Sequence, residues 1–216
     1  MDNYSFSKKQ RVYLRFKRFS DILLALLMLL ILWPIMLLAA IWVKAESRGP
    51  AVFKQRRPGY HQQIFTIYKF RSMRTETMKN GVPLTDYERM TVSGKVLRKT
   101  SIDELPQLFN ILKGDMSFIG PRPFLINDLG TYSREQLIRF EVLPGITSWT
   151  AIHGRNNITV QDKYNYEITY VKNIGLKIDL EIFFKTILLV LSRKDVEDKV
   201  NEERIAATII EDDIRD

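Results

Sequence analysis

The sequence predicts an α+β protein: one N-terminal membrane helix, then a small, largely helical domain with a short β-hairpin. Three observations predict it. Ile22 to Val43 is a run of 22 residues without a charged side chain, long enough to reach through a hydrocarbon core. Beyond Val43, short apolar runs alternate with polar turns, and two of the runs show strand periodicity on either side of a Pro-Gly turn. The charge is divided: residues 1–100 hold 19 Lys+Arg and 6 Asp+Glu, whereas residues 101–216 hold 14 and 19. The basic half must face something anionic: lipid head groups, phosphorylated small molecules or nucleic acid.

At 216 residues the chain accommodates one domain with an appendage, and a core of that size needs no staple. Zero cysteines exclude thiol catalysis, zinc fingers and a disulfide scaffold. His61 and His153 are the only imidazoles, too few for a multi-histidine transition-metal site. A resident metal is therefore expected to be a hard, oxygen-bound ion of the magnesium type. The expected organisation is a basic juxtamembrane segment at 1–21, the membrane helix at 22–43, a folded domain at 44–194 and an acidic tail at 195–216.

The membrane segment is read from its flanks and from Pro34. It outruns the apolar part of a signal peptide, and Lys44-Ala45-Glu46 offers no small-residue cleavage site. Lys8, Lys9, Arg11, Arg15, Lys17 and Arg18 precede it, and Lys44, Arg48, Lys54, Arg56 and Arg57 follow. Six bases against five leave neither end suited to the outside. Pro34 removes a backbone donor and crowds the carbonyl of Leu30, dividing the helix into legs of about 18 Å and about 14 Å, near half of a roughly 30 Å core. A re-entrant helix broken at Pro34 fits both facts. A kinked spanning helix is the other reading, since lipid tolerates proline where neighbours re-satisfy the backbone.

Ala51 to Gln55 and Ile64 to Phe70 alternate as strands, with Arg57-Pro58-Gly59-Tyr60 as the turn. Asn80-Gly81 and Pro83 mark a polar loop. Helices are expected at Tyr87–Arg98, Leu105–Leu112, Ser133–Phe140 and Tyr164–Asn173. Asp179 to Arg193 is apolar but too short and too charged at its start to span. It either packs in the core or lies in the lipid interface as an amphipathic helix.

Four segments could carry chemistry. Thr100 to Gln107 places Asp103 and Glu104 side by side after Arg98 and Lys99. Helix capping explains them without function: Ser101 with Glu104 matches a capping box, and Asp103 as N-cap would put Pro106 in a tolerated first turn. The functional explanation is that a helix N-terminus and nearby bases keep Asp103 ionised as a nucleophile or cation ligand. Arg122 sits between Pro121 and Pro123, a rigid turn that also preorganises a guanidinium for phosphate. Arg155 follows Gly154 in a tight backbone. Lys69 and Arg71 alternate in strand register, so both should emerge on one face.

Together these segments resemble a known family. The proline-broken apolar N-terminus, Tyr68 to Met73 (YKFRSM), Ser101 to Asn110 (SIDELPQLFN), Lys113 to Pro123 (KGDMSFIGPRP) and Pro144 to Thr147 (PGIT) look like the bacterial sugar transferases. They most resemble the small monotopic phosphoglycosyl transferases, also called polyprenyl-phosphate hexose-1-phosphate transferases, over residues 12 to 195. The resemblance implies transfer of a sugar 1-phosphate from a UDP-sugar to undecaprenyl phosphate with release of UMP. It also implies a catalytic domain on the cytoplasmic face of the bacterial inner membrane and a place in polysaccharide or glycoconjugate assembly. By the family pattern Asp103 is the nucleophile, Glu104 its partner, and Mg²⁺ sits beside the dyad, with Asp103 as a ligand. Lys69, Arg98, Arg122 and Arg155 match positions implicated in the active site or in phosphate and nucleotide contacts, and Pro34 matches the break of a re-entrant helix.

Two departures stand out. Trp33 replaces the serine that usually precedes the helix-breaking proline, and Ser148 to Asn156 (SWTAIHGRN) differs from the usual Gly-Trp-Ala-Gln-Val-Asn-Gly-Arg-Asn. With 21 residues before Ile22, the resemblance implies a minimal member without additional N-terminal spans. A reading from another class is a non-catalytic, membrane-anchored basic module that recruits anionic lipid; it accounts for the charge but not for the carboxylate pair. Nucleic acid is disfavoured, because the basic cluster lies against a lipid anchor and no nucleic-acid motif is present. The identity of the sugar and the oligomeric state, a homodimer included, stay open.

Overall fold

A computed structural model describes residues 4–79, 81–154 and 158–192. The acidic tail and Arg155 lie outside the described residues. The elements are α1 (Lys8–Glu46), β1 (Val52–Pro58), β2 (Ile64–Phe70), β3 (Met78–Lys79), β4 (Val82–Pro83), α2 (Asp86–Arg89), α3 (Val92–Lys99), α4 (Gln107–Lys113), β5 (Ser117–Ile119), β6 (Gly145–Thr147), α5 (Val160–Lys172) and α6 (Leu176–Ser192), with short 3₁₀ turns between several of them. The mixture of helices with a small hairpin is the expected α+β class.

α1 is a single helix of 39 residues with Pro34 inside it, long and apolar enough to cross a membrane. The expected break into two legs is not seen. Proline forgoes one hydrogen bond, whereas ending a helix in apolar surroundings strands several backbone groups at once. Burial follows a stripe along α1. Up to Leu32, Asp21 and Ala25 are buried and Met28 and Leu29 pack partly; beyond it, Ala39 and Val43 are buried and Met36 and Ala40 pack partly, in each part in steps of three and four. Leu23, Leu30 and Leu38 on other faces are at least 60% exposed.

β1 and β2 pair as expected. The link between them is a 3₁₀ turn at Tyr60–Gln62, with His61 and Gln62 at positive φ, so Pro58 closes a strand instead of forming the turn. The segment expected to be only a polar loop carries a two-residue antiparallel ladder, Met78 opposite Pro83 and Lys79 opposite Val82. The single helix expected at Tyr87–Arg98 is two. Thr85 and Glu88 form a full capping box for α2, and Thr91 accepts from Gly94 N to start α3. A threonine that bonds the backbone locally competes with a continuous helix and wins here. Ser133–Phe140 is likewise not an α-helix; a 3₁₀ segment occupies Gln136–Glu141.

Contacts divide the chain into two compact units. The first gathers the chain up to Leu32 with Lys54–Tyr68 and Gln107–Leu188. One of its cores joins Ala25, Ile67, Leu108, Ile111 and Met116; the other joins Ile119, Val142, Tyr170, Val171, Ile174 and Ile182. Buried polar bonds hold α1 to this unit. Asp179 Oδ2 accepts from Lys17 Nζ and Tyr13 Oη, each at 2.7 Å, and Oδ1 accepts from Tyr170 Oη at 2.9 Å. Arg18 donates to the carbonyls of Ile111 and Leu112 at the end of α4, where a cation complements the helix dipole. α6 packs in the core through Ile182, which is wholly buried, while Leu180, Phe183, Phe184 and Leu188 are exposed. The second unit gathers Trp33–Phe53 and Lys69–Pro106 around Ala39, Val43, Phe70 and Leu97.

In the first unit β5 and β6 pair in parallel, Ser117 opposite Gly145 and Ile119 opposite Thr147. A Cβ on Gly145 would stand 2.1 Å from the Gly120 nitrogen, and one on Gly120 would stand 2.3 Å from the Leu143 carbonyl oxygen. The glycines of Gly-Pro-Arg-Pro and Pro-Gly-Ile-Thr are therefore required by each other. Gly145→Ala forces two backbones apart and should cost at least about 2 kcal/mol, read as a lowered urea midpoint in detergent.

Candidate active site

The second unit brings the carboxylate pair and two of the expected bases together. β2 delivers Lys69 at its penultimate position, α3 carries Arg98 in its last turn, and a 3₁₀ turn at Ile102–Glu104 presents the dyad. Ser101 enters that turn in the left-handed region at φ 57° and makes no side-chain cap, so the capping box expected of Ser101 and Glu104 does not form, and Asp103 lies inside the turn instead of at its cap.

Each carboxylate has a different environment. Glu104 Oε1 accepts from Lys69 Nζ at 2.6 Å, with both side chains about three-quarters buried. Asp103 is only 9% exposed. Burial, then the negative charge of Glu104, pushes its carboxyl up to about 6, against the opposing pull of Lys69 and Arg98. At neutral pH it is ionised yet poorly solvated, which leaves its oxygen reactive. Arg98 donates from Nε to Ser72 Oγ at 2.9 Å; this fixes an otherwise exposed side chain beside the dyad. Arg71 does not share the face of Lys69. It is 5% exposed and donates to the Ser47 and Arg48 carbonyls and to Ser47 Oγ.

Among the described residues no group of three His, Cys, Asp or Glu side chains could hold a metal. The donor set at this site is two adjacent carboxylates, which suits a hard ion that takes one or two carboxylates and fills its shell with water and phosphate oxygens.

Arg122 belongs to the first unit. Its side chain is exposed, but its backbone is held from both sides: the N–H donates to Glu167 Oε1 at 3.1 Å and the carbonyl accepts from Arg139 Nη2. Arg139 and Glu167 form a buried ion pair at 2.8 Å, with side chains 3% and 1% exposed. The Arg139 guanidinium lies 4.1 Å from the Phe124 ring centroid and 5.3 Å from those of Tyr132 and Phe140, and Nη1 donates to Tyr132 Oη at 2.7 Å. Burial pushes the Glu167 carboxyl upward, and Arg139, whose charge cannot be lost, pulls it back. Sequence reasoning missed this pair. Its one signal was an acid among apolar neighbours on α5, where Glu167 stands next to Ile168 and near Tyr170 and Val171. On the departing segment, His153 Nδ1 lies 2.8 Å from the Trp149 carbonyl and its ring stacks on Tyr166.

The family model described as "Bacterial sugar transferase" matches residues 12–193. The chain is 42% identical over 181 residues to "Uncharacterized sugar transferase EpsL" of Bacillus subtilis (strain 168), covering 84% of this chain and 90% of that one. It is 41% identical to "UDP-N-acetylgalactosamine-undecaprenyl-phosphate N-acetylgalactosaminephosphotransferase" of Aeromonas hydrophila, covering 84% of this chain and 45% of the relative. To "UDP-glucose:undecaprenyl-phosphate glucose-1-phosphate transferase" of Xanthomonas campestris pv. campestris it is 36% identical, covering 82% and 39%. The chain thus spans nearly all of the first relative and less than half the length of the other two.

The buried acid makes a prediction that needs no substrate. Because the folded state holds the Asp103 carboxyl above its value of 3.8 in an unfolded chain, unfolding releases a proton between about pH 4 and pH 6, and wild-type stability falls as pH rises through that window. Asp103→Asn removes the effect. In EDTA the variant should be more stable than wild type above pH 6, by on the order of 2–3 kcal/mol, with the gain gone below about pH 4 in thermal unfolding across pH.

Proposed function

The chain belongs to the bacterial sugar transferases, and on that premise we propose that it moves a sugar 1-phosphate from a UDP-sugar to undecaprenyl phosphate, releasing UMP. The observation that carries the reading is the buried Asp103 beside a Glu104–Lys69 pair and the tethered Arg98. A carboxylate kept ionised but desolvated is a nucleophile awaiting an electrophile, and the bases around it would attract a diphosphate.

The reaction runs in two displacements at phosphorus. An Asp103 oxygen forms a bond to the sugar-bearing phosphorus while the bond to the bridging oxygen breaks, and UMP leaves with that oxygen and its electron pair. An oxygen of undecaprenyl phosphate then attacks the aspartyl-phosphosugar and the Asp103 carboxylate is regenerated, so one diphosphate linkage replaces another and no further energy source is needed. Splitting the transfer lets a soluble donor and a membrane-bound acceptor use one nucleophile in turn. Lys69 and Arg98 neutralise the equatorial oxygens. Glu104 holds Lys69 in place, and Arg122 and Arg155 serve as further phosphate or nucleotide contacts. Asp103 and Glu104 would hold a Mg²⁺ ion, which supplies charge neutralisation at the phosphoryl oxygens.

The same reading places α1 in the cytoplasmic leaflet as a re-entrant anchor, with the dyad at head-group depth. What supports it is the charge on the flanks of the apolar run, together with Pro34 near its middle. The basic residues at both ends favour the same side of the membrane.

A UMP-release assay over a panel of UDP-sugars, with undecaprenyl phosphate and Mg²⁺, tests the reaction. Asp103→Asn should lose about a thousandfold or more, Glu104→Gln roughly tenfold to a hundredfold, and EDTA should abolish turnover that Mg²⁺ restores. A donor carrying labelled sugar phosphate, given without acceptor, should label Asp103; normal turnover with no adduct sinks the covalent route. The topology is checked by single cysteines at Ser5 and Ser47 in this cysteine-free chain. Both should react only from the cytoplasmic side, and a periplasmic Ser5 site would mean a spanning helix.

A further inference from the structure

We propose that Glu46 and Arg71 are positioning residues that couple the end of the membrane helix to the catalytic dyad, so that Asp103 meets its membrane-bound acceptor at a set depth. The inference rests on the phosphosugar-transfer reading and assigns it two residues outside the dyad and its bases.

Both side chains lie where the apolar run ends. Ile22 to Val43 has no ionisable group, and Trp42, partly exposed, marks the head-group level. Glu46, in the last turn of α1, reaches the start of α3: Oε1 accepts from Val92 N at 2.6 Å and Oε2 from Ser93 N at 2.7 Å. One carboxylate thus satisfies two of the free donors of a helix N-terminus, from a segment nearly fifty residues away. Arg71 works in the opposite sense. It is the residue after β2, and its guanidinium donates to the carbonyls of Ser47 and Arg48 and to Ser47 Oγ, just past the end of α1.

The parts these two residues grip are those that carry the chemistry. Arg71 is two residues from Lys69, which holds Glu104. α3 ends at Lys99, next to Arg98, and leads straight into the dyad turn. Ser72 locks the two together: its carbonyl accepts from Thr91 N and Thr91 Oγ1, both at 3.1 Å, and its hydroxyl accepts from Arg98 Nε. α3 sits so close that a Cβ on Gly94 would stand 1.9 Å from the Ser72 carbonyl oxygen. Lys69, Ser72, α3 and the dyad form one block, and Glu46 and Arg71 fasten the end of α1 to it at two points, with Ala39 and Val43 in one core with Phe70 and Leu97. A helix seated in lipid then carries Asp103 with it.

A purely structural role would weaken every step alike. A positioning role weakens only the step in which the acceptor's height is fixed by the bilayer. Wild type and Glu46→Gln in nanodiscs are compared in three assays with a UDP-sugar that wild type turns over. These are the UMP burst without acceptor, transfer to undecaprenyl phosphate in the bilayer, and transfer to geranyl phosphate added to the water phase. Expected is a fall of about ten- to a hundredfold with the bilayer acceptor alone, with the burst and geranyl transfer within twofold of wild type. Glu46→Asp should recover part of the loss, and Arg71→Lys, which loses the forked geometry, should repeat the pattern. Equal loss in all three assays, or none in any, overturns the coupling. Wild type without a burst would overturn the covalent reaction itself, and the coupling with it.

Discussion

A carboxylate that is 9% exposed and adjacent in sequence to a second one cannot stay ionised unless positive charge is built around it. The second unit is arranged to meet that demand. Lys69 near the end of β2 reaches Glu104, Arg98 in the last turn of α3 lies beside the dyad turn, and Ser72 holds α3 at both ends, its carbonyl accepting from Thr91 and its hydroxyl from Arg98. The energetic disadvantage of a desolvated Asp103 is borne by the rest of the fold.

The first unit holds its candidate side chain by different means. Arg122 is exposed, but the chain bearing it is immobilised by a buried guanidinium and carboxylate that bond its carbonyl and its N–H. Two prolines alone stiffen a turn without fixing where it points. The Arg139–Glu167 pair, enclosed by Phe124, Tyr132 and Phe140, supplies the missing direction. Removing either partner would leave an uncompensated charge in an apolar surround, a loss on the order of 3–5 kcal/mol.

Much of this could be read in the sequence, for physical reasons that differ by element. The hairpin strands and the membrane helix were legible because their apolar patterns are local. Asp103, Glu104, Lys69 and Arg98 were legible as candidates, and their gathering in one unit is what the structure adds. Thr85 and Thr91, which divide one expected helix into two, were visible as residue types but compete too evenly with helix propensity to be settled without their Glu88 and Gly94 partners. The Ser101–Glu104 pattern matches a capping box and misled, because Ser101 takes a left-handed backbone from which its side chain makes no cap. Glu46, Arg71, Arg139 and Glu167 were illegible as a set: each makes its bonds to backbone atoms or charges distant in sequence, and only Glu167, an acid among apolar neighbours, carries any local mark of burial. Pro34 shows the converse limit, since its local chemistry argues for an interruption that the helix does not display.

The buried stripe on α1 also has a bearing on how the molecule is made. α1 is complete within the first 46 residues of the chain, yet Ala25 shares its core with Ile67, Leu108, Ile111 and Met116, and Lys17 makes its salt bridge to Asp179. During synthesis the helix emerges well before the surfaces it rests on, at a translation rate of about 5–20 residues per second. For several seconds lipid is its only partner. The remaining polypeptide must then assemble upon a helix already committed to the bilayer, so that the membrane serves as the first template on which the enzyme folds.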